Sequence, residues 1–404
     1  MDYNEVDIGQ RLRHQRQRAN KTQQTVADKL GMSRANLAAI ELGQRRLTSA
    51  QIMSLAAAYG LPVNRLLQLA VPAPRLAAQF RIPYSRGSAR TEVEGAIAAL
   101  ESLVEKYLEL EGLLNASLQS LPVPPYSVDT SAIETSADAI ADTERRRLGL
   151  NDGPLGELRD VLERDVGLRI FSLILPGEIA GIFGLSPTAG GCVGINSRHP
   201  ASRQRWSLAH EYAHFLTDRT RSEITKLSDR YQRLPDAERF AERFAASFLM
   251  PRSGLERRLG EVVRRGRSPT IADLLVLSNE YGVSAQALVL RLEDLNVVSS
   301  GQWDRLEASR VDLTAAGRML QLPDRRPDSR RFPKRYMLLA LEAYDRELLT
   351  ERQFAEYLEM DRLAVRALLD DLARSPIDTS SGVQEIELDL SSPVELLSGP
   401  TRSH

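Results

Sequence analysis

The stretch SLAHEYAHFL, residues 207–216, places His210 and His214 four positions apart, with Glu211 between them. Residues four apart on a helix lie one turn from each other on one face, so both imidazoles could bind the same metal ion. Glu211 would then lie beside the metal, where its carboxylate could take a proton from water and deliver it to a leaving amine. The pattern predicts a zinc-dependent hydrolytic site, although it also occurs by chance on ordinary amphipathic helices.

A zinc site of this kind needs a third protein ligand, and the sequence points to a carboxylate rather than another histidine. His14 and His404 lie near the two ends of the chain. His199 precedes the histidine pair, but Pro200 follows it, and we expect it in an exposed loop. The third ligand is therefore expected to be an aspartate or a glutamate.

The segment DAERFAERFAASFLMP, residues 236–251, offers such a carboxylate in Glu238. Ala241 and Ala245 form a stripe of small side chains that would let another helix approach closely, and Glu238 lies one turn before that stripe. Glu242, a further turn along, could accept the free ring N–H of a ligand histidine and so hold its tautomer. The alternative is that both glutamates belong to a solvated charged face.

Together, RQRWSLAHEYAHFLTD and ERFAERFAASFLMP resemble the ImmA/IrrE family of zinc metallopeptidase domains, over roughly residues 135–290. The resemblance implies a Zn²⁺ ion bound by His210, His214 and Glu238, with Glu211 as the general base. The family usually has Asn or Asp where this sequence has Glu242. Members of the family cleave repressor-type proteins, whereas some that are fused to helix-turn-helix domains look like regulators in which the zinc domain senses rather than cuts.

The first 75 residues differ in charge from the rest of the chain. They carry eleven Lys and Arg against five Asp and Glu, a formal charge of +6 in a chain whose total is -1. Within them, TQQTVADKLGMSRANLAAIELGQRR has two capped helices separated by a turn at Gly31, the layout of a helix-turn-helix. A basic module on an acidic body indicates one part of the protein that meets phosphate groups.

The second of these two helices would enter the major groove of DNA. Arg34, near its N-terminus, could pair with guanine, whereas Arg45 and Arg46 suit phosphate contacts that hold register. The full set of expected DNA contacts is Gln23, Gln24, Ser33, Arg34, Asn36, Arg45 and Arg46. Residues 8–69 resemble the Cro/C1-type (XRE) helix-turn-helix family, which implies binding to operator DNA as a homodimer. The alternative is a helical bundle with a solvated basic face.

The order of helix-like and strand-like segments along the sequence predicts an α+β multidomain protein. Residues 1–72 should form a five-helix bundle with the helix-turn-helix, and 73–130 a linker that contains a long helix at 92–117. Residues 131–298 should form a zincin-like α+β domain whose strands, at 168–175, 179–185 and 191–196, make a small antiparallel sheet. Residues 299–404 should be mostly helical, with a tail. Apolar seam positions on the long helix fit packing on its own chain or a dimeric coiled coil.

Composition excludes several other classes. The single cysteine, Cys192, allows neither an internal disulfide nor a cysteine-based zinc ribbon. No stretch reaches the ~18 apolar residues of a membrane span, and the N-terminus does not resemble a signal peptide, so we expect the cytoplasm.

The sequence therefore predicts a DNA-binding transcriptional regulator with a metallopeptidase-like domain that cleaves a regulatory protein, such as a partner repressor. One alternative is a regulator whose zinc domain is a non-proteolytic sensor or structural core. Another is the antitoxin or immunity component of a mobile-element pair. Whether the protein is an enzyme stays open at this point.

Overall fold

The computed structural model describes residues 9, 12–13, 16, 21–45, 48–59, 88–118, 123–186, 188–217, 223–226, 234–264, 269–373, 375–379 and 382–386. The chain divides into two compact units, Met1–Arg75 and Leu76–His404. Within the described ranges, no helix is both long enough and apolar enough to cross a membrane.

Three helices of the first unit are described: α1 (Gln23–Lys29), α2 (Arg34–Glu41) and α3 (Ser49–Tyr59). The side chains of Thr22 and Ser33 accept hydrogen bonds from backbone N–H groups in the first turns of α1 and α2, as expected of N-caps. Gly31, in the turn between them, has a φ of 63°, which an L side chain rarely adopts. The helix-turn-helix geometry is therefore present, whereas most of the predicted first helix and all of the fifth lie outside the described residues.

The second unit contains thirteen helices and six strands within its described ranges. The helices are α4 (Ser88–Leu114), α5 (Ile133–Arg147), α6 (Leu158–Val161, continued by a π-turn to Val166), α7 (Ala201–Thr217), α8 (Asp236–Leu249), α9 (Arg252–Arg264), α10 (Ile271–Tyr281), α11 (Ala285–Asp294), α12 (Gln302–Ala308), α13 (Leu313–Met319), α14 (Lys334–Asp345), α15 (Glu351–Leu358) and α16 (Arg362–Ala373). The strands are β1 (Arg169–Leu173), β2 (Ile179–Ser186), β3 (Gly190–Asn196), β4 (Glu223–Lys226), β5 (Ser375–Thr379) and β6 (Gly382–Ile386).

Strands β1 to β4 form one sheet in the order β1–β3–β2–β4. The β2–β3 and β2–β4 pairs are antiparallel, but β1 and β3 are parallel, so the prediction of a purely antiparallel sheet was wrong. The reason is topological: the chain reverses after β1 and again after β2, and β3 then lies between the two, running in the same direction as β1. The fourth strand, β4, was not predicted.

The sheet is covered on both faces. Side chains that alternate along the strands point to opposite sides, so Ile170 and Val193 join one core whereas Phe171 and Cys192 join the other. Residues of α5, α7, α8, α10 and α11 fill the first core, and residues of α4, α14 and α15 fill the second. The second unit is thus a mixed sheet between two helical layers. The α+β fold class predicted from the sequence is confirmed.

The long helix α4 packs on its own chain. Its apolar positions are buried against β1, β3 and α14, so the seam is covered within the chain, as one of the two predicted alternatives required. Glu111, the one acidic seam position, is buried and accepts hydrogen bonds from Arg169 of β1 at 2.9 Å and from Arg335 of α14 at 2.6 Å. This packing joins elements on both sides of the predicted boundaries at 130 and 298, which stay predictions.

The C-terminal region is helical over 334–373, as predicted. The polar, arginine-rich stretch at 301–331 contains two short helices, α12 and α13, rather than one. The strand-like stretch VQEIELDL begins in β6, which pairs in antiparallel fashion with β5, and the residues after 386 lie outside the described ranges.

Candidate metal centre and DNA-contacting residues

Helix α7 carries the histidine pair into the interior of the second unit. His210 and His214 are at most 2% exposed and face α8, whereas Glu211 points towards strand β2. Small side chains at the α7–α8 contact, Ala213 on one side and Ala241 on the other, are fully buried. The helices can therefore approach closely, as the small-residue stripe on α8 indicated.

Three side chains from these two helices converge on one point. The Nε2 atoms of His210 and His214 are 3.1 Å apart, and the carboxylate oxygens of Glu238 lie 3.2 Å from the first and 3.3 Å from the second. Ligands held at about 2.0–2.1 Å from a tetrahedral zinc ion are separated by about 3.3 Å. The three donors have the spacing and the chemistry of a histidine–histidine–glutamate metal site.

Glu242 holds the first histidine from its other side. Its Oε1 atom lies 3.0 Å from Nδ1 of His210, and its Oε2 atom accepts a hydrogen bond of 2.9 Å from the indole N–H of Trp206. A carboxylate in this position fixes the orientation of the imidazole ring and leaves Nε2 directed at the metal position. Trp206 lies one turn before His210 on α7, and its polar contact with Glu242 could not be predicted from the sequence.

The charges of the site favour a cation between the ligands. Burial disfavours the charged imidazole of His210, but contacts with Glu238 and Glu242 outweigh it and raise its pKa well above the usual value. Burial likewise favours the neutral form of Glu238, but its contacts with His210 and His214 prevail and lower its pKa. The two carboxylates therefore stabilise positive charge at the point where these side chains meet.

Glu211 is fully buried, and neither of its carboxylate oxygens forms a hydrogen bond of ordinary geometry with a described residue. Burial raises its pKa, and this effect prevails over the nearby His210, His214 and Thr225, which act to lower it. A buried carboxylate without hydrogen bonds is energetically costly and is uncommon outside functional sites. Its environment suits a group that takes up a proton.

The main chain of β2 limits the space available to Glu211. A Cβ atom placed on Gly181 would lie 2.6 Å from its Oε1 atom and 3.2 Å from its Cδ atom. Only a glycine therefore fits opposite this carboxylate without displacing it. Gly181 was not singled out in the sequence, where the only available signal was an isolated glycine within a strand pattern.

His199 does not take part in the metal site, but it is not the exposed loop residue that the sequence predicted. It is 7% exposed, and its Nε2 atom lies 2.9 Å from the carbonyl oxygen of Gly177 and 3.3 Å from the amide nitrogen of Asn196. Asn196 in turn donates to the carbonyl of Ile179. The ring thus ties the loop between β1 and β2 to the loop between β3 and α7, which explains its burial.

A cleft of about 1540 Å³ opens onto the metal site. Its lining includes His210, Trp206 and Glu242 from the site itself, and it extends to α11 at Ala287 and Leu290. The cleft thus reaches His210, the one member of the histidine pair among its lining residues.

In the first unit, the expected DNA-contacting residues are clustered around α1 and α2. Arg34 and Arg45 are exposed, and Arg45 donates a 2.6 Å hydrogen bond to the side chain of Asn36. The hydroxyl of Ser33 caps α2. Arg46 lies outside the described residues.

The two glutamines at the start of α1 are already engaged within the domain. Gln23 donates to Glu41 at 2.9 Å, and Glu41 is also paired with Arg16 at 2.6 Å. Gln24 donates to Asp28 at 2.7 Å. A groove of about 890 Å³ is lined mainly by basic and amide side chains, with Glu41 among them: Arg13, Arg16, Lys21, Gln23, Gln24 and Arg34.

Two family models match the chain. The model described as the IrrE N-terminal-like domain matches residues 163–293, and the model of a helix-turn-helix domain matches residues 7–69. These matches confirm the two resemblances that the sequence motifs indicated. No curated protein matches the chain.

Two solved structures align with most of the chain. The structure of ComR from Streptococcus suis is 14% identical, covers 91% of this chain and 91% of its own, and has a TM-score of 0.16. The structure of Bacillus thuringiensis PlcR in complex with the peptide PapR7 and DNA is 9% identical, covers 90% of this chain and 92% of its own, and also has a TM-score of 0.16. Because these TM-scores are low, neither alignment supports a conclusion about this chain.

Proposed function

We propose that this chain, which joins a helix-turn-helix domain to an IrrE N-terminal-like domain, is a DNA-binding transcriptional regulator with a zinc-dependent peptidase centre. The proposed metal ligands are His210, His214 and Glu238, and the proposed general base is Glu211. The substrate would be a regulatory protein. We expect the protein in the cytoplasm, where its operator DNA is found.

The observation that carries the metal assignment is the convergence of two imidazoles and one carboxylate at separations of 3.1–3.3 Å. A Zn²⁺ ion held there would act as a Lewis acid towards a peptide carbonyl. Glu242 would keep the His210 ring in place from behind. Glu211, with its raised pKa and unpaired oxygens, would accept a proton from water and return it to the leaving amine.

Two substitutions separate metal binding from proton transfer. His210→Ala removes a ligand, so the purified protein should lose most of its zinc, measured by elemental analysis. Glu211→Gln should retain zinc but lose proteolysis. Glu157→Gln, at a side chain 75% exposed, is the matched control and should retain both properties. If His210→Ala and the wild-type protein contain equal amounts of metal, the proposed site is wrong.

A second candidate is a regulator whose zinc domain is a sensor or structural core. The burial of Glu211 favours it, because a carboxylate with no exposed atoms needs a path for water before it can act as a base. The assay is promoter regulation on an operator selected from random DNA by the full-length protein. If Glu211→Gln regulates that promoter as well as the wild type does, regulation does not depend on proteolysis. The proposal of a peptidase centre then fails, and that of a sensor or structural core is supported.

The DNA assignment makes two different predictions for the basic residues of the first unit. Arg34→Ala should relax sequence preference, because Arg34 is proposed to contact a base, whereas Arg45→Ala should weaken binding to all sequences and reduce its salt dependence. Arg352→Ala, at a position 79% exposed in the second unit, is the control. Undiminished operator binding by a chain without residues 1–70 would exclude this assignment.

Binding to paired half-sites would require two copies of the helix-turn-helix domain, so we propose a homodimer on the operator. Light scattering of the protein with and without operator DNA measures this directly. One protomer per half-site is expected, and a single protomer on a palindromic operator would contradict it.

A further inference from the structure

Four apolar residues line part of the cleft beside the candidate metal site. Trp206 lies one turn before His210 on α7, and Ala246 lies one turn after Glu242 on α8, so each is about 6 Å along its helix from that residue. Ala287 and Leu290 of α11 complete the surface, and Leu290 is 47% exposed. We call these four residues the apolar shelf.

Several of the polar groups that line the cleft are already occupied. The indole N–H of Trp206 donates to Glu242, which leaves only carbon atoms of the ring for a ligand. Arg243 pairs with Asp138 at 2.8 Å and also with Asp294.

The same holds further along the cleft, where Arg239 pairs with Glu134 at 2.6 Å, and Glu293 accepts hydrogen bonds from the backbone N–H groups of residues 301 and 303. Two lining side chains, Arg203 and Glu307, have no ion pair among the described residues, and they carry opposite charges. The four residues of the shelf themselves therefore offer a ligand apolar contact.

We propose that the apolar shelf binds an aliphatic side chain of about the size of leucine, in a polypeptide whose neighbouring amide lies at the metal site. This inference rests on the proposed function and specifies its substrate. A charged side chain on the shelf would lose hydration against the carbon surface of these four residues. An aliphatic side chain would instead bury carbon surface against Trp206 and Leu290.

The proposal is tested with two metal-chelating probes on the zinc-loaded, full-length protein. N-acetylglycine hydroxamate and N-acetyl-leucine hydroxamate share the chelating group and differ only in the side chain. Calorimetric titration should give a dissociation constant about tenfold lower for the leucine probe, the effect of burying part of one aliphatic side chain. The readout is binding, and it does not require proteolysis.

Ala287→Asp locates the effect. Asp is tolerated in the first turn of α11, and there it would place a carboxylate on the shelf, so the ratio between the two probes should fall to about one. Ala364→Asp, at another partly buried alanine on α16 outside the cleft, should retain the tenfold ratio.

The two ways in which the ideas can fail are distinguishable. If both hydroxamates bind the wild-type protein equally well, or if Ala287→Asp keeps the full ratio, the shelf does not select the side chain, and the proposed function is unaffected. If neither hydroxamate binds the zinc-loaded protein, the proposed metal centre is wrong, and the inference falls with it.

Discussion

Replacing Glu111 by leucine should strongly destabilise the second unit. Glu111 and Arg169 are 6% and 5% exposed at their side chains, and they form two hydrogen bonds of 2.9 and 3.0 Å. Glu111→Leu would leave the Arg169 guanidinium buried, with the backbone carbonyl of Ala189 as its remaining described hydrogen-bond partner and the Tyr107 ring 4.7 Å away. Loss of one partner from a buried ion pair costs about 3–5 kcal/mol. Arg335, the other partner of Glu111, is 30% exposed and can turn to water, so the loss of its contact should add little to the destabilisation.

Urea unfolding followed by tryptophan fluorescence measures this loss. Both tryptophans of the chain, Trp206 and Trp303, lie in the second unit, so the signal reports its unfolding. Glu94→Leu on the same helix is the matched control: its partner Arg90 is 42% exposed and Glu94 itself 47%, and the expected loss is at most about 0.5 kcal/mol.

A double variant separates the loss of the pair from the burial of an unpaired charge. Glu111→Leu with Arg169→Met replaces both charges by apolar groups, and it should recover at least about 2 kcal/mol relative to Glu111→Leu alone. Equal losses for Glu111→Leu and Glu94→Leu would refute the reasoning, since the buried pair would then contribute no more than an exposed one.

Three further expectations follow from the structure. Gly181→Ala would bring a Cβ atom to 2.6 Å from the buried Glu211 carboxylate, so it should lower the free energy of unfolding by about 1–3 kcal/mol while zinc content is unchanged; unaltered stability would contradict the contact. Burial acts to raise the pKa of Glu144, but its contact with Arg147 prevails and lowers it, so its contribution to stability is present above the unfolded pKa of about 4.3 and disappears as pH falls through the folded pKa. Glu144→Gln should therefore flatten the pH dependence of urea midpoints below about pH 5, and an unchanged acid limb would exclude this role. Burial raises the pKa of the Cys192 thiol to about 12, so a thiol-specific reagent should label the protein in urea but not in buffer, and rapid labelling of the native protein would contradict its burial.

Much of the candidate metal site could be predicted because its chemistry is local. His210, Glu211 and His214 lie within five residues, and the period of one helix is enough to place the two imidazoles together. Glu238 could be proposed because a zinc site needs a third ligand and because a stripe of alanines indicated close packing. The structure places these side chains together, and their roles stay predictions.

Other parts of the site could not be predicted, because they depend on contacts between distant segments. Trp206 contacts Glu242, and Gly181 contacts Glu211, each from a separate element of the fold. Neither residue type indicates such a contact in the sequence. His199 was expected to be exposed because it precedes a proline. It is buried because its ring contacts the backbone carbonyl of Gly177, in a loop 22 residues earlier in the chain.

The sequence by itself determined which residue types and local elements this protein has: a capped helix-turn-helix with a basic charge, a histidine pair at helical spacing, and an apolar seam along a 27-residue helix. Only the tertiary structure decided what those surfaces meet. The seam of α4 could have been covered by a second copy, since apolar burial has no direction and any matching surface satisfies it. The sheet covers it instead, and the same nonlocal packing made β1 and β3 parallel and closed the space around Glu211.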